Sequence, residues 1–181
     1  MGVRASGLRS SFAAFRRGFH RPLMKRGETV VEVEAIRAMM HDTVPFYRVL
    51  GIQAESVEPE QVVLSLAQTP ERLNHVGTMH ATAQFGLGEA AGGIMASAAF
   101  NDLIAQGAAP LVTQVTISYL KSARGDLRAV ASLSREEQER IRSDMNANGR
   151  AIFSVPVQVF DAAGVQTTAL TTEWILLGPR K

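Results

Sequence analysis

The sequence predicts an α+β fold in which an antiparallel sheet of about six strands wraps around one long central helix, preceded by an N-terminal helical arm. The run from residue 81 to about 105 is rich in Gly and Ala and has almost no polar face, which is typical of a helix buried on most sides. Six other segments have the β-branched or alternating pattern of strands. A chain of 181 residues with 46% hydrophobic content is expected to form one domain with a real core.

The N-terminal arm holds the positive charge of the chain. Seven of the 19 Lys and Arg residues lie within residues 1–26, which contain no acid, so the rest has 12 bases against 17 acids. A nucleic-acid-binding domain needs a basic face of its own, so nucleic acid is not expected as a partner. We therefore divide the chain into a basic arm, residues 1–28, and a domain, residues 29–181.

The arm also has helical periodicity, carried by Leu8, Phe12, Phe15, Phe19 and Leu23. Three hypotheses fit this pattern. The arm contacts a membrane surface through residues 1–26, it is an organelle transit peptide, or it docks on its own domain or a partner subunit. The expected location is cytoplasmic, or the mitochondrial matrix if the arm is a transit peptide.

The elements of the domain follow from local patterns. Residues 29–42 predict a helix that Pro45 ends, and "PFYRVLG" is expected to be a connector closing at Gly51. After the central helix, "QGAAP" is a break, and Ser134 followed by Glu137 is a capping box for a helix that stops at Asn148-Gly149. Strands are expected over residues 52–57, 61–68, 111–120, 127–133, 151–160 and 165–177.

Composition excludes several kinds of chemistry. There is no cysteine, which rules out disulfides, thiolate metal sites and cysteine nucleophiles. The four histidines, 20, 41, 75 and 80, lack metal-ligand spacing. We therefore expect neither a metal nor a cofactor.

Glu89 is the acid that the sequence leaves unexplained, because small and apolar residues surround it over residues 85–93. A desolvated carboxylate must find a partner, lie at an exposed edge or take up a proton. A raised pKa would suit Glu89 to accept a proton near neutral pH. The alternative is a buried acid satisfied by backbone or threonine groups.

The segment from residue 74 to 89 resembles the hotdog-fold acyl-CoA thioesterases, especially the phenylacetate-pathway type and its uncharacterised relatives. The resemblance rests on Asn74-x-x-Gly77-Thr78-x-His80-Ala81 and on Glu89 nine residues after His80. Further matches are "YLKSARGD" at 119–126 and the segment 148–174. This chain has "HAT" where the family has "HGG", and Glu89 where the family has aspartate.

The resemblance implies roles for several residues. The Ala81 N–H would polarise the thioester carbonyl, and Asn74 would hold the attacking water or that carbonyl. Gly77 and His80 would contact the substrate. The alternatives are that Asn74 bonds to its own loop and that His80 caps the helix.

Geometry adds an argument independent of the family. Eight residues on one helix place Ala81 and Glu89 about 12 Å apart along the axis and about 80° apart around it. A glutamate side chain reaches only about 4 to 5 Å. If both residues act on one thioester, the site lies between two subunits, which agrees with the dimers, or dimers of dimers, of hotdog enzymes.

Four further residues are candidate substrate contacts. Lys121 and Arg124, with Arg128 nearby, could bind the phosphates of CoA, although solvated turn charges are equally common. Thr113 lies on a predicted strand whose inward face the alternation does not determine.

These observations predict an acyl-CoA thioesterase with Glu89, Asn74 and Ala81 as catalytic residues, Glu89 acting as general base or as nucleophile. The alternative is a hotdog module that binds acyl-CoA, or an acyl carrier protein, without cleaving it.

Overall fold

The structure is a computed structural model that describes residues 40–179. The basic arm, the boundary at residue 29 and most of the helix predicted over residues 29–42 lie outside the described residues. Residues 40–43 are helical, as the end of that helix should be.

Residues 45–50 form a short helix, α1 (Pro45–Leu50), so the prediction of a connector here was wrong. Pro45 stands in the first turn, where a missing N–H costs nothing, and Gly51 follows the helix with a φ of 74°. Proline just inside the start and glycine just past the end are typical of a helix. A helix of six residues is too short to show the periodicity on which the sequence analysis depended.

Six antiparallel strands form one sheet in the order β1-β2-β4-β5-β6-β3, which confirms the predicted fold class. The strands are β1 (Gln53–Glu58), β2 (Gln61–Leu66), β3 (Ala109–Tyr119), β4 (Leu127–Ser132), β5 (Arg150–Phe160) and β6 (Gln166–Leu177). Most of their ends lie within two residues of the predicted ones. Because β3 pairs only with β6 among the described strands, its other edge is open.

The central helix, α2 (Ala81–Ala99), lies against the inner face of this sheet. It stops at Phe100, where φ is −123° and ψ is 25°, and a short helix α3 (Asn101–Ala105) follows. The single helix predicted to residue 105 is therefore two helices. At this break the fully buried Phe100 ring packs edge to face against Phe153, with ring centres 5.4 Å apart.

Glycines allow the central helix to approach the sheet closely. A Cβ on Gly88 would lie 2.6 Å from the Leu170 side chain, and a Cβ on Gly92 would collide with Thr172. Both neighbours are on β6. The small residues of this helix are therefore required by the distance between the backbones of the helix and the strand.

The last helix, α4 (Arg135–Asn148), has the ends that the sequence predicts. The Ser134 hydroxyl accepts the N–H of Glu137 at 3.2 Å, and Gly149 ends the helix with a φ of 67°. The Glu137 carboxylate pairs with Arg140 at 2.6 Å. Only the serine half of the capping box is therefore seen in the part of the chain that is described.

No helix within residues 40–179 is both long enough and apolar enough to cross a membrane.

Candidate active site

The first turn of α2 leaves one backbone donor without a partner. The His80 ring accepts the N–H of Thr82 through Nδ1 at 3.1 Å, and the His80 carbonyl accepts the N–H groups of Ala83 and Gln84. The Ala81 N–H makes no hydrogen bond to any residue the structure describes, and Ala81 is exposed. A free donor at the positive end of a 19-residue helix is suited to bind an oxyanion or polarise a carbonyl.

Three neighbouring segments hold this turn in place. The Arg72 carbonyl accepts the His80 N–H at 2.8 Å, and the Ala123 carbonyl accepts the Met79 N–H at 3.0 Å. The Tyr119 hydroxyl, at the end of β3, donates to the Ala81 carbonyl at 3.2 Å. The position of the Ala81 donor is therefore set by the edge strand and two loops.

A buried polar pair, Gln84 on α2 and Thr168 on β6, also stabilises the first turn of α2. The Thr168 hydroxyl donates to Gln84 Oε1 at 2.5 Å, and Gln84 Nε2 donates to the Met79 carbonyl at 3.3 Å. Both Gln84 and Thr168 are buried. Paired polar groups inside a core restrict alternative packing, so the start of the helix is well defined.

Glu89 lies two turns further along α2 and is half-buried. Its carboxylate has no hydrogen bond and no ion pair within residues 40–179, so the expected alternative of a satisfied buried acid does not describe it there. Burial raises the pKa of Glu89 above the ordinary glutamate value. An unpartnered carboxyl with a raised pKa is a candidate proton acceptor.

The Asn74 side chain forms hydrogen bonds within its own loop. Its Oδ1 accepts the N–H groups of Val76 and Thr78 at 3.1 and 3.0 Å, and its Nδ2 donates to the Thr78 hydroxyl at 2.9 Å. One of the two Nδ2 hydrogens is left for another acceptor. Gly77 makes the sharp turn of this loop with a φ of 74°, and no atom lies within 4 Å of where its Cβ would be.

The predicted phosphate contacts lie beside the helix start. Lys121 and Arg124 are exposed and flank Ala123, whose carbonyl holds Met79. Arg128 differs from them, because its Nε lies 2.6 Å from the Glu55 carboxylate. Lys121 and Arg124 are therefore exposed on the turn beside the helix start, whereas the charge of Arg128 is already paired.

Thr113 is the extra residue of a bulge in β3, between Val112 and Gln114. Its hydroxyl donates to the Glu173 carbonyl at 3.2 Å. The adjacent Val112 pairs with Trp174, whose ring approaches Gly93. Thr113 thus lies toward the Glu89 end of the helix, away from Ala81.

Within one chain, the predicted site residues form two groups. Asn74, Gly77, His80 and Ala81 lie together at the start of α2, and the turn carrying Lys121 and Arg124 lies beside them. Glu89 remains about 12 Å along the unbroken helix from Ala81.

The sequence analysis missed two side chains that organise this region, Arg72 and Tyr47. The Arg72 guanidinium donates to the carbonyls of Ala67 and Leu50 at 2.7 and 2.8 Å, which ties α1 to the end of β2. Tyr47 lies on α1. Pro45 at the start and Gly51 after the end of this segment were the sequence signal that could have indicated a helix here. No sequence signal marks Arg72, because its partners are backbone carbonyls, which every residue type has.

An apolar cavity of about 460 Å³ lies beside α2, between α1 and the turn at Pro70–Arg72. Ala83 and Leu87 contribute the helix side of its wall. Its other lining residues are Val49, Leu50, Ile52, Leu66, Thr69, Glu71 and Arg72.

Comparison with known proteins agrees with this architecture. A family described as a domain of unknown function, DUF4442, matches residues 32–176. No curated protein matches the chain. A structure from Pseudomonas aeruginosa, described as a protein of unknown function and probable thioesterase, is 26% identical with a TM-score of 0.69, covering 80% of this chain and 95% of that one.

Two more distant structures show the same fold. A thioesterase from Haemophilus influenzae is 11% identical with a TM-score of 0.63, covering 82% of this chain and 92% of that one. A thioesterase mutant from Staphylococcus aureus is 18% identical with a TM-score of 0.57, covering 74% and 99%. The fold is therefore that of the hotdog thioesterase superfamily, which confirms the resemblance drawn from the sequence.

Proposed function

We propose that this chain, which belongs to the DUF4442 family and has the hotdog fold, is an acyl-CoA thioesterase. The observation that carries the proposal is Glu89, a half-buried carboxyl without a described partner, on the same helix whose first residue offers a free N–H. Thioester hydrolysis needs a proton acceptor for water and a donor for the carbonyl oxygen.

In the proposed mechanism, Glu89 accepts a proton from water as the water oxygen attacks the thioester carbon. The carbonyl oxygen gains negative charge, which the Ala81 N–H and the helix dipole stabilise. The spare Nδ2 hydrogen of Asn74 is directed to the same oxygen or to the water. Collapse of the tetrahedral intermediate then breaks the carbon–sulfur bond, and protonated Glu89 gives its proton to the departing thiolate, which releases the carboxylic acid and the thiol and returns Glu89 to its ionised form. Direct attack by Glu89 through an anhydride is the alternative chemistry.

One chain cannot supply both groups to one thioester, because about 12 Å of helix separates Ala81 from Glu89. The proposed site therefore combines Ala81 and Asn74 of one subunit with Glu89 of a second copy. The open edge of β3 supports this arrangement. Leu111 and Tyr119 on this strand are 51% and 48% exposed, and a long, apolar, unpaired edge is normally covered.

Pairing β3 with the same strand of a second copy would cover that edge. It would also place the interface next to the start of α2, because the Tyr119 hydroxyl is bonded to the Ala81 carbonyl. Thr113, in the bulge of β3, would border the same interface. A homodimer, or a dimer of dimers, is therefore part of the proposal.

The substrate would lie across the helix start. Lys121 and Arg124 would bind the CoA phosphates as charge-assisted hydrogen-bond donors, and Gly77 and His80 would line the entrance. The acyl chain would enter the apolar cavity beside Ala83 and Leu87, which begins two residues after Ala81. The arm, residues 1–26, is proposed to contact a membrane surface, and the protein is proposed to be cytoplasmic, or mitochondrial if the arm is a transit peptide.

The second candidate is a hotdog module that holds acyl-CoA, or an acyl carrier protein, without cleaving it. Asn74 favours this candidate, because three hydrogen bonds within its own loop use all of its side-chain polar groups except one Nδ2 hydrogen.

Hydrolysis assays on the purified protein with acyl-CoAs from two to sixteen carbons separate the two functions. A thioesterase releases free thiol with at least one chain length, and Glu89→Gln abolishes that release. Saturable binding of acyl-CoA without release of thiol, in both forms, would establish the binding module.

A further inference from the structure

Helix α1 lies over the face of the central helix that carries Glu89. Leu50 Cδ1 is 3.1 Å from the Cβ position of Gly86, and Tyr47 Oη is 3.2 Å from that of Gly93. Seven residues make almost two full turns, so Gly86 and Gly93 point the same way. Glu89 comes three residues after one and four before the other, so it borders the strip that α1 covers.

The two glycines make this contact possible. A side chain at either position would have to displace Leu50 or Tyr47, because real Cβ atoms rarely approach other atoms so closely. Helix α1 is also fixed from its other end, since the Leu50 carbonyl accepts a hydrogen bond from Arg72. The Tyr47 ring is therefore held against α2.

Tyr47 carries a hydroxyl that the proposed mechanism has not used. The residue is only 8% exposed, and its hydroxyl makes no hydrogen bond with any of residues 40–179. Trp174, the aromatic neighbour at Gly93, donates its Nε1–H to Thr172 at 2.8 Å, so it does not donate to the phenol oxygen, and the indole nitrogen is not an acceptor. The Tyr47 hydroxyl, at the end of a largely buried side chain, is therefore free to donate a hydrogen bond to a neighbouring acceptor.

Glu89 is the acceptor within reach. Side chains four residues apart on a helix have Cβ atoms about 5–6 Å apart, and the phenol oxygen lies 3.2 Å from the Cβ position of Gly93. The Glu89 carboxyl can cover that distance by rotating about its side-chain bonds. The negative charge of Glu89 also contributes, after burial, to raising the pKa of Tyr47, which is expected of close neighbours.

We propose that Tyr47 is the positioning residue for Glu89, and that its hydroxyl donates a hydrogen bond to the ionised carboxylate. The bond itself does not depend on the proposed thioesterase activity. If that activity is correct, the bond aims one carboxylate oxygen at the attacking water and leaves the other free to take the proton. Helix α1 is then part of the active site as well as of the core.

Other charged groups around the central helix do not compete for this role. Arg48, on α1, donates to the His41 carbonyl at 3.3 Å, and Asp102, on α3, pairs with Arg142 at 2.7 Å. Arg128 pairs with Glu55, and Glu173 shares its sheet face with the exposed Ser154 opposite it. The remaining charged groups on elements packed against α2 are Glu58 and Arg150, both at strand ends. Burial, and no charge, is the cause of the raised pKa of Glu89.

Tyr47→Phe tests the hydrogen bond without removing the ring. The variant should fold with its packing intact, which a thermal melt will show. A carbon-13 NMR titration of the glutamate carboxyls should then find the pKa of Glu89 about one unit higher than in the parent, the equivalent of one hydrogen bond to a charged group. The pKa of Glu137, which is paired with Arg140 on α4, should not move. An unchanged or lower pKa for Glu89 would overturn the proposal.

A second measurement distinguishes a direct hydrogen bond between Tyr47 and Glu89 from a change in the hydration of Glu89. The chain has two tyrosines, so in a Tyr119→Phe background an isotope-labelled tyrosine reports on Tyr47 alone. The infrared C–O stretch of its phenol should shift as Glu89 ionises and should stay constant in the same background with Glu89→Gln. If the stretch stays constant across the same pH range in the Tyr119→Phe protein that retains Glu89, a direct bond between Tyr47 and Glu89 is contradicted. Neither measurement requires activity, so failure of the thioesterase proposal would be seen separately, in the acyl-CoA assay.

Discussion

The Tyr119 hydroxyl donates to the Ala81 carbonyl at 3.2 Å, which fastens the end of the open edge strand to the first turn of the central helix. Tyr119 and Ala81 are 38 residues apart in the chain. The bond places the one free N–H of that helix turn beside the surface on which a second copy would pair. Catalysis and assembly are therefore coupled in the proposed enzyme, and the predictions below test them separately.

We expect Glu89→Gln to keep the fold and to lower kcat at least 100-fold, because the amide has nearly the same shape but cannot accept a proton. Steady-state hydrolysis of the best acyl-CoA measures the loss. Glu139→Gln, an exposed position on α4, is the matched control and should retain the parent rate. A Glu89→Gln enzyme with unchanged kcat would remove Glu89 from the mechanism.

The pH dependence of both rate and stability follows from the raised pKa of Glu89. Only the ionised carboxylate is a base, so kcat/KM should fall as the pH drops through that raised pKa. Stability changes in the opposite direction. Between the ordinary and the raised value the folded state binds more protons than the unfolded state, so the free energy of unfolding decreases as the pH rises through this window.

Glu89→Gln should abolish the contribution of Glu89 to both profiles. Denaturant unfolding of the parent and of Glu89→Gln at several pH values measures the free energy of unfolding of each. The two free energies should differ most above the window between the ordinary and the raised pKa of Glu89. A free energy of unfolding that responds identically to pH in both proteins would contradict a raised pKa.

Ala81→Pro should remove the oxyanion donor while preserving the helix. Ala81 is the first helical residue, where proline is favoured, and His80 has the extended conformation, φ −62° and ψ 144°, that a following proline requires. Loss of one such donor typically lowers kcat by about 10²–10³-fold. The circular dichroism spectrum should be unchanged. Ala83→Gly cannot replace Ala81→Pro in this test, because it leaves the Ala81 N–H in place. A proline variant with the parent kcat would show that this N–H does not act on the substrate.

The shared site predicts complementation between two inactive variants. Glu89→Gln and Ala81→Pro chains, unfolded and refolded together, should form mixed dimers with one site carrying both defects and one carrying neither. Random pairing makes half of the dimers mixed, so recovery should approach about one quarter of the parent activity if the two groups act as a unit. Asn74→Ala with Glu89→Gln should behave in the same way wherever the Asn74 loop still folds. Each variant refolded alone is the control, and no recovery in the mixture would place the whole site within one chain.

A charge on the open edge should weaken the dimer. Thr116→Glu on β3 would place a carboxylate on each of two paired edges, where like charges across strands repel. We expect sedimentation to show more monomer and the assay to show less activity, with activity returning at higher protein concentration. Gln61→Glu, an exposed position on β2, should change neither. An unaltered dimer in Thr116→Glu would indicate that β3 is not the interface.

Arg72→Leu should lower the free energy of unfolding by about 2–4 kcal/mol, because two carbonyls lose a charged donor. Arg72→Lys should restore part of this loss. Arg135→Leu is the comparison, since its contact with Glu60 is 3.9 Å long and exposed, and its loss should cost less than about 0.5 kcal/mol. Urea unfolding measures all three, and equal effects of the two leucine variants would show that the Arg72 bonds contribute little.

The sequence alone determined the architecture because local patterns report directly on burial and chain reversal. The alternation in β5 and β6, the Ser134 cap and the small-residue helix each required one local structure, and together they required the sheet and its buried helix. Glu89 could be selected as a candidate in the same way, since an isolated acid in an apolar run must be paired, exposed or used.

Only the tertiary structure decided which groups are already occupied and which are free. Asn74 and Arg128 have the right chemistry in the sequence, but the loop conformation gives Asn74 local hydrogen bonds and strand packing pairs Arg128 with Glu55. The Ala81 N–H is left without a partner in the described residues. The roles of Tyr47 and Arg72 were equally hidden, because Tyr47 meets Gly93 and Arg72 meets Leu50 only after distant segments pack. A sequence records the chemical type of each group, and the competition among groups for partners is settled when the chain folds in three dimensions.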